Sequence, residues 1–172
     1  NAINAARHNG GIDGLKAACP TAEVIATLNL AWDYATAKAA MEDILANYPQ
    51  IDGILSQGGA MTQAAIDAYV EQGLPLVPMT GEASNGFLRV WLEQADNGLQ
   101  SMAFCNPTWI SVTALDTAIR ILNGEEVEKE ITVTVPPVTL ETAKDLYRPD
   151  VNDSFWVHTY LSDAEIKELF PK

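Results

Sequence analysis

Cationic residues are scarce in this 172-residue chain: ten lysines and arginines stand against 23 aspartates and glutamates, for a formal charge of −13 at pH 7. So negative a surface repels polyphosphate and anionic lipid, which argues against nucleic acid and an anionic membrane as the main partner. Cysteine is almost absent. Cys19 and Cys105 provide no disulfide framework, no Cys-x-x-Cys and no Cys/His metal spacing. The two histidines, His8 and His158, lie far apart and neither sits in a recognisable triad motif. No metal, other cofactor or enzymatic activity is therefore expected. Long apolar runs are missing too: nothing approaches the ~20 residues that span a bilayer, so no membrane insertion is expected.

The length suits one domain, and 48% apolar with 19% charged residues is ordinary for a globular chain. Helix-like and strand-like segments alternate along it. Helices are predicted at 3–18, 32–49, 60–73, 85–98 and 107–124, and strands at 23–30, 51–57, 74–79, 99–105 and 131–139. Pro49 stops the second helix, Gly73 the third, and Asn123-Gly124 the fifth. The fifth helix carries two apolar stripes, including Val112, Leu115, Ile119 and Leu122, a band wide enough to predict cover by neighbours. Short apolar strands between helices call for a three-layer α/β/α sandwich with a mostly parallel, flavodoxin-like sheet. A strand before residue 3 would complete that pattern. Residues 1–139 read as one ligand-binding lobe, with Asn1-Ala2 as an expression remnant. Residues 140–172 read as a tail packing at the domain edge or hinge, with Ser162 and Glu165 as a capping box.

In such sheets ligands sit beyond the carboxyl ends of the strands, here the loops at 30–33, 56–60, 79–85 and 104–108, with 3–8 beside them. Gln57-Gly58-Gly59 resembles a phosphate loop, but no Lys-Ser/Thr and no Gly-x-Gly-x-x-Gly accompanies it. The glycines read as a strand-to-helix turn whose N–H groups could receive a ligand oxygen. Thr80, Glu82, Ser84 and Asn85 crowd another strand end. A carboxylate and an amide there can grip neighbouring hydroxyls, although Ser84 or Asn85 could equally cap the next helix. Arg7 offers a fork of donors suited to a polyol or carboxylate, or is a surface arginine. Trp32 and Trp109, near strand ends, are candidates for stacking on a sugar, against the commoner fate of aromatics in a core. Cys105 ends a strand at the same edge and reads as a buried small residue rather than a reactive thiol.

The ordered set of motifs resembles the sugar-binding proteins of ABC importers, the type I periplasmic binding proteins related to ribose-binding protein. The matching pieces are "NAARHNGGIDGLKAACP", "AWDYATAKAAMEDILANYPQIDGILSQGGAMTQAAIDAYVEQG", "LPLVPMTGE", "SMAFCNP" and "ALDTAIRILNGEEV", which together span roughly residues 3 to 140. The resemblance implies reversible capture of a small carbohydrate or polyol between two hinged lobes, of which this chain is mainly the C-terminal one. It implies an ABC permease as partner and a periplasmic or lipid-anchored extracellular location. Arg7 matches the family's sugar-gripping arginine. Gly58 and Gly59 stand where relatives carry asparagine and aspartate, Thr80 where they carry aspartate, and Cys105 where they carry glutamine. Glu82 and Asn85 are expected to replace those contacts from one loop over, the double glycine making room for a bulkier ligand. A lobe without its mate leaves an exposed half-cleft that could pair with another copy. The alternative is the effector domain of a lactose-repressor-type regulator, which shares the fold but usually ends soon after the last lobe element.

Overall fold

The computed structural model describes residues 2–172; Asn1, half of the expected expression remnant, lies outside them. Helix boundaries follow local chemistry. Helix α1 spans Ala2–Ala18, and α2, Tyr34–Asn47, opens where the Asp33 carboxylate accepts from the Thr36 N–H at 2.7 Å. Helix α3 spans Gly59–Glu71, and α4, Asn85–Gln94, is capped by Ser84. Helix α5 runs Ile110–Leu122; the tail adds α6, Leu140–Leu146, and α7, Asp163–Leu169. Both tail helices open with capping boxes, Thr139 with Thr142 and the expected Ser162 with Glu165.

The sheet is small and mainly parallel. Strand β1, Met79–Glu82, pairs in parallel with β2, Ser101–Phe104, in the register Met79 to Ser101 and Glu82 to Phe104. Ile54 joins β1 by a parallel bridge, and Val138 joins β2 by an antiparallel one. This is the α/β architecture expected, with fewer ladder bonds than the sequence pattern suggested. Prolines explain part of the difference. Pro75 and Pro78 cannot donate to a ladder, so the strand expected at 74–79 begins only at Met79, and Pro136-Pro137 leave Val138 alone of the segment 131–139. Residues 23–30 form no strand, and Val24, Ile25 and Leu28 are exposed. An extended apolar segment becomes a strand only beside a backbone that completes its ladder, and none of the described residues supplies one there.

The core lies on one face of the sheet. Ile66 and Tyr69 of α3 pack with Phe87, Leu88 and Trp91 of α4 against Met79 and Ala103, and the tail adds Val151, Phe155, Val157 and Ile166. Alternation along β2 makes the division plain: Ala103 is fully buried while its neighbour Phe104 is 55% exposed. The cover expected for α5 is not there. None of its residues is buried, and Leu122 is 85% exposed. Its stripe finds no facing apolar layer among the described residues.

Candidate functional site

Four separate segments meet at one end of the sheet. Arg7, in α1, reaches the end of β1, where its Nη2 donates to Glu82 Oε1 at 3.0 Å. Its Nη1 donates to the Gln57 carbonyl at 3.3 Å, and its guanidinium stands over the Trp32 ring, 5.7 Å from the centroid. Glu82 is 7% exposed, so its carboxylate is largely withdrawn from water, and among the described residues the arginine is its one charged partner. Beside them, Gln57 Oε1 is buried and has no hydrogen-bond partner among the described residues.

Trp32 owes its place to unusual backbone. Ala31 and Trp32 both have positive φ, 51° and 60°, in the left-handed region that side chains other than glycine's seldom adopt. The turn is closed by Asp33 N–H donating to the Leu30 carbonyl at 3.0 Å. Trp32 then lies against Gly58, where a Cβ would come within 2.9 Å of its ring and collide with the Met61 methyl. Gly59 is as confined: a Cβ there would stand 2.6 Å from the Glu82 carbonyl and collide with Ser84 Oγ. The paired glycines thus let the start of α3 approach Trp32 on one side and the Glu82–Ser84 loop on the other. Gly59→Ala is expected to destabilise the fold by about 1–3 kcal/mol, since backbone must move to admit the methyl; a denaturation midpoint equal to wild type would contradict this packing.

Not every expected contact faces this place. The Thr80 hydroxyl donates to the Ser56 carbonyl and accepts from the Ser56 N–H, both at 2.9 Å, tying two strand ends together. The Asn85 amide points into the tail and is engaged by backbone of residues 148–152. Cys105 is half-buried and its thiol lies 3.4 Å from the Val157 carbonyl. Burial pushes that thiol up to about 11, and the Glu82 carboxylate adds to the effect, so it is a neutral donor at pH 7. Trp109, just before α5, stacks on Tyr160 with centroids 5.2 Å apart. Arg7, Trp32, Gln57, Gly58, Gly59 and Glu82 therefore converge, Cys105 lies alongside, and Thr80 and Asn85 are engaged elsewhere. Residues 155–157 of the tail, expected at the domain edge or hinge, also reach this end of the sheet.

Residues 1–126 match the family model described as the periplasmic binding protein domain. The chain belongs to that family. Its members are binding proteins, in keeping with a site that gathers donors, acceptors and an aromatic face. Among solved structures of periplasmic binding proteins, the component of the arabinose ABC transporter from a Shewanella species, bound to arabinofuranose, aligns at TM-score 0.67 and 20% identity, over 80% of this chain and 46% of that one. A carbohydrate transporter solute-binding protein from Agrobacterium radiobacter in complex with D-arabinose aligns at TM-score 0.63 and 20% identity, over 92% and 47%. An ABC transporter periplasmic solute-binding protein from Actinobacillus succinogenes with bound D-allose aligns at 0.62 and 23%, over 80% and 48%. The chain spans less than half the length of each of these structures. Comparison with curated proteins returned no significant match.

Proposed function

We propose that this chain is the C-terminal lobe of the solute-binding component of an ABC importer, and that it takes a neutral carbohydrate or polyol. Residues 1–139 form the lobe proper, residues 140–172 its tail, and a second lobe faces it across the ligand. Delivery is to an ABC permease, from the periplasm or from a lipid-anchored position outside the cell.

The observation that carries this reading is the Arg7–Glu82 pair at 3.0 Å, flanked by the Trp32 ring and by Gln57 Oε1, which has no partner among the described residues. Sugar hydroxyls both donate and accept. One can donate to Gln57 Oε1 or the Glu82 carboxylate while another accepts from the Arg7 fork, and the C–H face of the ring lies on an aromatic. The pair also selects by charge. A sugar acid or phosphate would draw Arg7 away and leave the buried Glu82 carboxylate unpaired, which is strongly unfavourable. A neutral ligand joins the pair without breaking it.

A thermal-shift panel of neutral sugars, polyols and sugar acids on the natural full-length protein tests the reading. A neutral ligand at a hundredfold excess over its dissociation constant should stabilise the protein by about 2.7 kcal/mol. A flat response to every neutral compound, with protein free of copurified ligand, would overturn it.

A further inference from the structure

The family match ends at residue 126, yet the chain beyond it returns to the candidate site. Trp156 makes an antiparallel bridge to Ser84, and Val157 N–H donates to the Ala83 carbonyl at 3.4 Å. The Val157 carbonyl in turn accepts from the Cys105 thiol, so the tail crosses the carboxyl ends of both β1 and β2. This crossing is anchored from below: Asn85 N–H donates to the Phe155 carbonyl at 2.8 Å and Gly86 N–H to the Asp153 carbonyl at 3.1 Å. His158, at φ 61°, then turns the chain. Tyr160 follows and lies on Trp109 with an interplanar angle of 17°.

Tyr160 is 70% exposed while held flat against Trp109. Stacking on one side fixes the ring's plane and leaves its other side free. A fixed aromatic plane is what the C–H face of a sugar ring packs on, and holding it in advance lowers the entropy lost on binding.

We infer that residues 154–160 form a wall of the carbohydrate site and that Tyr160, backed by Trp109, is its outer sugar-stacking residue. This rests on the carbohydrate reading above. The ligand chemistry is a neutral pyranose or furanose ring, or the second ring of a short oligosaccharide, whose hydroxyls at the other end meet Arg7 and Glu82.

The test uses the natural full-length protein and calorimetric titration with whichever of D-allose, L-arabinose, D-arabinose or D-fucose gives the largest thermal shift. Tyr160→Ala is expected to weaken binding roughly three- to tenfold, the range of one aromatic stacking contact. Tyr160→Leu, which keeps apolar bulk against Trp109 but offers no flat face, should weaken it as much, and Tyr160→Phe should retain wild-type affinity. Arg7→Ala is titrated in parallel. Wild-type affinity in Tyr160→Ala and Tyr160→Leu, with binding weakened in Arg7→Ala, overturns the tail wall and leaves the site reading standing. Wild-type affinity in all three overturns both. A lowered midpoint for the ligand-free Tyr160 variants with unchanged affinity would make the stack a fastening of the tail only, and also overturns the inference. No shift with any of the four sugars removes the carbohydrate reading and this wall with it.

Discussion

Asn85→Ala is expected to lower folding stability by about 2–4 kcal/mol and to expose the tail to protease. The side chain is only 1% exposed. Its Nδ2 donates to the Arg148 carbonyl at 2.8 Å, with the carbonyls of Asn152 and Val151 at 3.2 and 3.4 Å. Its Oδ1 accepts from the Arg148 N–H at 2.9 Å. One amide thus serves both signs of backbone group at the turn that begins the tail's return. Alanine removes all of these at once and strands the Arg148 N–H and the carbonyls in a place water enters poorly, so the desolvation cost adds to the lost bonds. Asn85→Asp is the informative companion. It can still accept from Arg148 N–H, but it turns a carboxylate toward three carbonyl oxygens, and its cost should equal or exceed that of alanine. Urea unfolding followed by limited proteolysis reads both effects. Stability within about 0.5 kcal/mol of wild type, the range of an ordinary surface substitution, would show that the amide does not hold the tail.

The second large effect concerns ligand affinity. Glu82→Ala and Arg7→Ala should each weaken sugar binding by about 2–5 kcal/mol, or roughly thirtyfold and upward. The two arrive at that loss differently. Without Glu82 the site keeps its donor fork but loses the buried acceptor. Without Arg7 the carboxylate stays buried without its ion-pair partner, so the loss includes the cost of desolvating an unpaired charge. Arg7→Lys separates charge from geometry: it restores a positive group but not the two N–H arms that reach Glu82 Oε1 and the Gln57 carbonyl together. It should recover only part of the affinity. Calorimetric titration of the folded variants decides the matter, and unchanged affinity in both alanine variants would defeat the assignment of the site.

Asn85 holds the strand of tail that passes Ala83 and Cys105, and those residues flank Glu82. A protein that loses the Asn85 anchor should therefore lose affinity together with stability, whereas the Glu82 variant should lose affinity alone. The two losses are separable by measuring binding at a temperature well below both unfolding midpoints.

What the sequence determined by itself is what neighbours within a turn or two decide. The Asp33, Ser84 and Ser162–Glu165 caps, the stops at Pro49 and Gly73, and the alternation of helix with extended segment all follow from such neighbours, and they suffice for an α/β chain with its loops gathered at one sheet edge. The charge balance and the missing phosphate motif narrowed the ligand in the same way, since both are properties of composition and spacing. Only the tertiary structure decided the rest. Residues 23–30 and the α5 stripe have strand-like and core-like patterns, yet pairing and burial depend on what stands opposite, and there the described residues offer nothing. Arg7 and Glu82 are 75 positions apart, and whether either is a surface charge or half of a buried pair depends on how α1 is set against β1. The Asn85 amide is the clearest case: a polar side chain at a strand end suits a ligand or a neighbouring backbone equally well, and the choice lay with a tail 63 residues away. Local periodicity encodes which element forms, because its interactions close within the segment. Which polar group meets which is a property of chain crossings, and those exist only once the fold has brought distant segments together.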